Sequence, residues 1–285
     1  MVWTTEAAFA RFYEEVNLPG DHRTTANARR EWVVDRLRNN GIEVLEAIAF
    51  GSIPRYTALK EHADVDVMAV LHYGKHIKDR RPSQVLLAVK NALGTGQAGA
   101  GRRNGQAVTV SFQSWPNIDV VPASRVNDNN GKVTGYEIPD MTREIWLPTN
   151  PPQHSSDIAA AVTARGSRFR RVITMLKHWN RRQPVKLQSY HLEVIALKLS
   201  TSWDDYSWPV FKWFELAQSE IHWCWHAGQD VSGYLNYEQR QAITAQLASA
   251  TNTARSAWLK ACTDKHSEAI PLWRNVFGMK FPTYG

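Results

Sequence analysis

The first 150 residues alternate short apolar runs with polar turns, a pattern typical of a mixed α and β region. Two amphipathic segments, residues 5–17 and 24–39, predict helices, and Trp32, Val33 and Leu37 form one stripe of the second. A third helix is predicted over residues 82–93. The apolar runs predict strands over residues 43–50, 65–71, 107–112, 118–121, 133–138 and 144–147.

Helical periodicity replaces this pattern after residue 153. The predicted helices cover residues 157–164, 168–182, 189–202, 210–224, 237–262 and 266–277. We therefore expect an α+β lobe over residues 1–150 and an α-helical lobe over residues 151–285, and one of the first two helices could cross to the second lobe. A cleft between two lobes is the usual place for a ligand.

Composition narrows the class of protein. The chain has 285 residues, 43% of them apolar and 21% charged, as in an ordinary globular protein. Its net charge of +7 favours polyanionic partners such as nucleotides or nucleic acid. Two cysteines cannot form a disulfide framework, the N-terminal residues do not resemble a secretion signal, and no apolar run is long enough for a membrane span. We expect a cytoplasmic protein without membrane contact.

Two aspartates interrupt an apolar run that otherwise looks buried. Asp64 and Asp66 lie in ADVDVMAVL, and residues i and i+2 of a strand point to one face. Adjacent carboxylates repel each other, and one is driven toward protonation unless a cation lies between them. Asp119 lies in a second apolar run, NIDVV. If the two strands are neighbours, three carboxylates converge on a catalytic site for two Mg²⁺ ions, which Mn²⁺ could replace.

A Gly-Ser pair follows the strand that precedes this acidic stretch. Glycine at position 51 would let the backbone approach a phosphate closely. The Ser52 hydroxyl and the N–H groups at the start of a short helix could hold phosphate oxygens. We therefore expect a short helix after Ser52, and we expect Gly51 and Ser52 to bind nucleotide.

The order of these motifs resembles the nucleotidyltransferase superfamily of the DNA polymerase β type. A second string, FRRVITMLKHWNRRQPVKLQSYHLEVIALKL, is similar to the LK-x-WN and SYHLE helices of the bacterial cyclic-oligonucleotide synthases related to cyclic GMP-AMP synthase, the CD-NTases. Polymerases and tRNA nucleotidyltransferases share the acids but not that pairing. The resemblance covers most of the chain. It implies a lobe with a mixed sheet flanked by helices, a C-terminal helical lobe and an active site in the cleft.

The resemblance also implies an activity. The enzyme would join NTPs, with ATP and GTP favoured, release pyrophosphate and make a purine-containing cyclic dinucleotide for anti-phage (CBASS) signalling. The product would act on a separate effector, and regulatory partner proteins could take part. Lys177 and Ser189 would hold the donor triphosphate, and Tyr190 would stack on the donor base. A cyclic trinucleotide is the alternative product that the resemblance allows, and the linkage could be 3′–5′ or 2′–5′.

Other interpretations stay open at this point. The protein could be a template-independent transferase that adds a nucleotide to RNA, a protein or an antibiotic, or a catalytically silent nucleotide-binding scaffold. HWCWH suggests zinc, because His222 and His226 would lie one turn apart on a helix, but packing is the simpler reading. The basic clusters form no single long stripe, so no nucleic-acid activator is indicated.

Overall fold

The computed structural model describes residues 3–20, 22–94, 102–114 and 116–285. The chain divides into two units, which we call the sheet unit and the helical unit. The sheet unit comprises Gly20–Tyr56 and His62–Ser156, and the helical unit comprises Met1–Pro19, Thr57–Glu61 and Asp157–Gly285. The N-terminal residues therefore group with the C-terminal helices. This agrees with the expectation that one of the first two helices could cross to the second lobe, although a single boundary after residue 150 does not describe the division.

Strand pairing in the sheet unit gives a mixed sheet, as expected. The strands within the described residues are β1 (Val44–Phe50), β2 (Val65–Leu71), β3 (Arg102–Asn104), β4 (Ala107–Val110), β5 (Ile118–Asn127), β6 (Val133–Asp140) and β7 (Ile145–Thr149). Their order is β1-β2-β5-β4-β3, while β6 pairs with the far half of β5 and β7 pairs with β6. The β2–β5 pair is parallel and the other pairs are antiparallel.

Helices account for most of the remaining described residues. They are α1 (Thr5–Val16), α2 (Arg23–Asn39), α3 (Tyr73–His76), α4 (Pro82–Leu93), α5 (Pro151–Arg165), α6 (Arg168–Arg181), α7 (Ser189–Lys198), α8 (Ser207–Glu220), α9 (Tyr237–Ala261) and α10 (His266–Phe277). Two short strands, β8 (Trp225–His226) and β9 (Gln229–Asp230), form a separate hairpin. None of the described helices is long and apolar enough to cross a membrane.

The core of the helical unit is rich in aromatic residues. Phe9 and Phe12 of α1 are completely buried, and their rings contact Phe277 and Phe281. The Thr4 hydroxyl accepts a hydrogen bond from the Ala7 N–H and caps this helix. Burial of these rings explains why α1 belongs with the C-terminal helices, since apolar burial is the main favourable term in folding.

Two helices begin earlier than predicted, and both have proline in their first turn. We expected α5 to begin at residue 157, but it begins at Pro151, and the Asn150 side chain accepts a hydrogen bond from the Gln153 N–H. We expected α8 to begin at residue 210, but it begins at Ser207, two residues before Pro209. Proline is tolerated in a first helical turn because its missing N–H would have no partner within the helix.

Several element ends also differ from the prediction. The strand predicted over residues 118–121 continues to Asn127, because Ser124–Asn127 finds a new partner in β6. The helix predicted to reach residue 202 ends at Lys198, since Leu199 adopts an extended conformation. The helix predicted to reach residue 224 ends at Glu220.

Candidate active site

Asp66 and Asp119 lie directly opposite each other on the neighbouring parallel strands β2 and β5. Residues paired in this way point to the same face of a sheet, and neighbouring strands are about 4.8 Å apart. Both side chains are half-buried. The prediction that the two strands are neighbours is confirmed, and two of the three predicted carboxylates share one face of the sheet.

Asp64 lies just outside the strand. β2 has the predicted bounds and begins at Val65, so the expectation that Asp64 and Asp66 lie on one strand is wrong, and Asp64 is exposed. The Val65 N–H donates to the Asn117 carbonyl over 2.9 Å, which extends the β2–β5 pairing back to this point. Asp64 therefore directly precedes β2, at the end of the strands where Asp66 and Asp119 lie.

Thr109 extends the pair of acids into a row across three strands. It lies on β4 opposite Asp119, and its hydroxyl donates to Asp119 Oδ1 over 2.5 Å. We call Asp66, Asp119 and Thr109 the acidic row. The hydrogen bond fixes the orientation of the Asp119 carboxylate, because a charge-assisted bond is stronger than a neutral one. Thr109 was not predicted, although a polar residue in the apolar run AVTV was a usable signal.

Gly51 is required by the position of Asp66. Its φ of +81° lies in the left-handed region, and a Cβ built there would come within 1.8 Å of Asp66 Oδ2. A larger residue would thus collide with the carboxylate as well as strain the backbone. The close approach that the sequence suggested for a phosphate is made in this structure by Asp66.

The short helix predicted after Ser52 does not form. Residues 52–56 are a series of turns, in which the Tyr56 N–H donates to the Ile53 carbonyl over 3.0 Å. Ile53 precedes Pro54, and a residue before proline avoids the helical region. Tyr56 also has a positive φ of 56°, which ends any helical run. The proposed phosphate contacts of Ser52 therefore cannot rest on a helix N-terminus.

Lys177 is buried in an ion pair within the helical unit. Its Nζ lies 2.6 Å from Glu193 Oε1, and the two side chains are 6% and 0% exposed. The Thr57 hydroxyl accepts a hydrogen bond from Lys177 over 2.8 Å and donates to Glu193 over 3.1 Å. We call Lys177 and Glu193 the buried pair. The resemblance implied that Lys177 holds a triphosphate. In this structure the Lys177 ammonium is paired with the Glu193 carboxylate, for which no role was predicted.

Ser189 and Tyr190 begin α7. The N-cap of this helix is Gln188, so Ser189 is its first residue and does not cap it. Ser189 is exposed and Tyr190 is half-buried, and burial raises the pKa of the Tyr190 hydroxyl. His191 is fully buried, with Nε2 3.1 Å from the Glu220 carbonyl, which indicates a structural role.

The HWCWH segment is not helical. Because α8 ends at Glu220 and Trp225 begins β8, His222 and His226 are not placed one turn apart on a helix as the zinc interpretation required. Burial, together with a hydrogen bond to Glu220, raises the pKa of the Cys224 thiol to about 12. Zinc binds the thiolate, so Cys224 is a poor ligand.

The mixed sheet flanked by helices and the helical C-terminal part match the architecture of nucleotidyltransferases of the polymerase β type. Among solved structures, CdnC of E. coli MS115-1, determined with ATP, matches with a TM-score of 0.78 at 21% identity, over 97% of this chain and 98% of that chain. CdnC was also solved in a complex with HORMA-deltaN. This likeness establishes the fold.

Sequence comparison identifies the family. The model of the Second Messenger Oligonucleotide or Dinucleotide Synthetase domain matches residues 3–161, more than half of the chain. The chain belongs to this family, whose enzymes join nucleotides and use divalent metal ions. A probable cyclic nucleotide synthase of Bacillus cereus (strain VD146) is 24% identical over 100% of this chain and 99% of its own length. A cyclic AMP-AMP-AMP synthase of Acinetobacter sp. is 26% identical over 81% of this chain and 71% of its own length.

Proposed function

We propose that this protein is a cyclic-oligonucleotide synthase that joins NTPs into a purine-containing cyclic dinucleotide and releases pyrophosphate. The observation that carries the proposal is the pairing of Asp66 with Asp119 on neighbouring parallel strands. Asp64 directly precedes the strand that carries Asp66. Carboxylates at this spacing favour a bound cation, and their oxygens are the ligands that Mg²⁺ prefers. We assign two Mg²⁺ ions, or Mn²⁺, to these three residues.

The chain's own residues would prepare this centre for nucleotidyl transfer. Thr109 holds one oxygen of Asp119, and Gly51 leaves the space that the Asp66 carboxylate fills. When bound, the metal ions would lower the pKa of the attacking ribose hydroxyl and neutralise the leaving pyrophosphate. The ribose oxygen of the acceptor forms a bond to the α-phosphorus of the donor while the bond to pyrophosphate breaks. A second transfer of the same kind closes the ring.

Nucleotide binding is assigned to residues of each unit. In the sheet unit we propose Gly51 and Ser52 as phosphate contacts, with the backbone of the turn in place of a helix. In the helical unit we propose that Lys177 and Ser189 contact phosphates. The proposal for Lys177 rests on the family resemblance. Support for Ser189 comes from its exposed position in the first turn of α7, where N–H groups attract anions.

Tyr190 is the proposed platform for the donor base. Its ring is half-buried, and stacking of a base on an aromatic ring contributes about 1–3 kcal/mol. The Acinetobacter relative is named for a product of three AMP units, and CdnC was solved with ATP. Both names favour adenine as one base, and the first makes a cyclic trinucleotide the alternative to a dinucleotide.

The biological role that we propose is signalling in defence against phages. The cyclic product would act on a separate effector, and a partner protein could regulate the synthase, as the complex of CdnC with HORMA-deltaN suggests. The cytoplasm is the proposed compartment, because NTPs are present there and both cysteines, Cys224 and Cys262, are free thiols.

Incubation with labelled NTPs tests the proposed reaction. The purified protein receives all four NTPs and Mg²⁺ with no other acceptor, and the products are treated with phosphatase and identified by mass spectrometry. We expect release of pyrophosphate and a phosphatase-resistant cyclic product with at least one purine, both abolished by EDTA. In a parallel reaction with RNA or protein added, label found only on that acceptor would instead identify a transferase with another acceptor. Nucleotide binding without any product would identify a scaffold.

A further inference from the structure

The β8–β9 hairpin has no role in the proposed reaction, yet its geometry is well defined. His226 on β8 pairs with Gln229 on β9, and the two-residue turn between them has φ values of 48° at Ala227 and 78° at Gly228. Two consecutive left-handed residues are the mark of the tight turns that match the twist of a two-stranded ribbon. The side chains of His226 and Gln229 therefore project from the same face of the hairpin.

That face contacts the proposed base platform. The Gln229 side chain and the Tyr190 hydroxyl share a hydrogen bond. The ring of His226 meets the ring of Tyr190 nearly edge-on, with centroids 6.2 Å apart and an interplanar angle of 65°. His226 is itself held by Asp157, whose Oδ2 lies 3.3 Å from His226 Nε2. The hairpin therefore contacts Tyr190 both at its hydroxyl and at its ring.

The base of the hairpin is anchored to the rest of the helical unit. Asp230 accepts hydrogen bonds from the Cys224 N–H and from the N–H and hydroxyl of Ser232. The Arg240 guanidinium of α9 donates to the carbonyls of His222 and Ser232 over 2.6 and 2.9 Å. The hairpin is therefore tied to α9 at both of its ends, so it can hold Tyr190 in one orientation.

We propose that Gln229 and His226 are positioning residues, which fix the ring of Tyr190 for stacking on the nucleobase of the bound NTP. The inference rests on the proposed function, since it needs Tyr190 to contact a base. A ring that is already oriented loses less conformational freedom when the base binds. The hairpin should therefore affect the affinity for NTP and leave the rate of the chemical step nearly unchanged.

A double-mutant cycle tests this proposal, because it isolates an interaction between two residues. Tyr190→Phe removes only the hydroxyl, Gln229→Leu removes only its partner, and the third variant combines both. Each single change should raise the KM for NTP by about threefold to tenfold, the range expected for loss of one hydrogen bond. The double variant should be no worse than either single variant, with kcat within about twofold of wild type. His226→Ala should also raise KM.

Controls separate positioning from stability. Gln241→Leu changes an exposed glutamine of α9 in the same unit and should leave KM unchanged. Thermal unfolding is measured for every variant, and if Gln229→Leu proves unstable, Tyr190→Phe gives the same reading with its ring packing intact. Multiplying effects in the double variant, or a wild-type KM in the Tyr190→Phe and Gln229→Leu variants, would overturn the proposal.

A binding measurement tests the hairpin's role even if the proposed function is wrong. If the wild-type protein makes no oligonucleotide, the same cycle is measured as the Kd for non-hydrolysable ATP and GTP by calorimetry. A non-additive increase in Kd supports the hairpin's role even then. Unchanged Kd values, or no binding of either nucleotide by the wild-type protein, would refute it.

Discussion

The acidic row and the buried pair place charge in the protein in opposite ways. In the row, Asp66 and Asp119 carry like charges opposite each other on neighbouring strands, and both are half-buried. In the pair, the Lys177 ammonium and the Glu193 carboxylate carry opposite charges 2.6 Å apart, almost fully removed from solvent. The row lies in the sheet unit and the pair in the helical unit.

The difference separates what the fold needs from what the proposed reaction needs. Like charges directly opposite each other destabilise a sheet, so the pairing of Asp66 with Asp119 is best explained by a cation. Opposite charges in a buried pair satisfy each other, and removal of either one leaves a charge in an apolar interior. Substitutions in the row should thus affect activity, whereas substitutions in the pair should first affect stability.

The largest effect is expected when the acidic row loses charge. Asp66→Asn keeps the shape of the side chain but removes a proposed metal ligand, and we expect pyrophosphate release to fall by about 10³-fold or more. The melting temperature should stay the same or rise, because a like-charge repulsion is removed. Asp264→Asn is the matched control, since Asp264 has a 98% exposed side chain. Undiminished turnover of the Asp66→Asn variant would refute the catalytic assignment.

The buried pair should give the opposite result. Glu193→Leu leaves the Lys177 ammonium without its buried partner, and the free energy of unfolding should fall by about 3–5 kcal/mol. Lys177→Met combined with Glu193→Leu should recover most of that loss, because apolar residues of similar volume can replace a buried ion pair. Urea unfolding followed by tryptophan fluorescence measures both.

The exposed ion pair of Lys260 and Glu268 serves as the control for this experiment. Glu268→Gln breaks a pair whose side chains are 38% and 51% exposed, and little change in stability is expected. A double variant as unstable as Glu193→Leu alone would contradict the view that the charge, rather than the packing, is at stake. The same double variant would show whether NTP binding needs the Lys177 ammonium.

Much of the fold was predictable because its local signals agree with one another. The strand over Val65–Leu71 and the helices Pro82–Leu93 and His266–Phe277 have the predicted bounds, since apolar periodicity and end signals coincide there. The predicted starts of α5 and α8 lie too late, and both helices contain proline in their first turn. The grouping of α1 with the C-terminal helices depends on contacts between distant residues, which periodicity does not encode.

In the candidate site, too, the residues that depend on contacts between distant parts of the chain were not predicted. The three aspartates stood out because charged residues interrupted apolar runs. Glu193 did not stand out, because both of its partners come from elsewhere in the chain. Lys177 lies on another helix, and Thr57 lies 136 residues away in sequence. Thr109 was missed for a related reason, since only the register of β4 on β5 places it opposite Asp119.

The smallest effect is expected for a change at Thr109, which belongs to the acidic row but carries no charge. Thr109→Val keeps the β-branched shape and removes the hydroxyl that holds Asp119 Oδ1, so stability should change by no more than about 1 kcal/mol. Turnover should fall by about tenfold, and half-saturation should need more Mg²⁺, because Asp119 is no longer oriented. Thr109→Ser should restore both values. A Mg²⁺ titration of pyrophosphate release decides the question: a wild-type curve for Thr109→Val would mean that the hydrogen bond serves only the sheet.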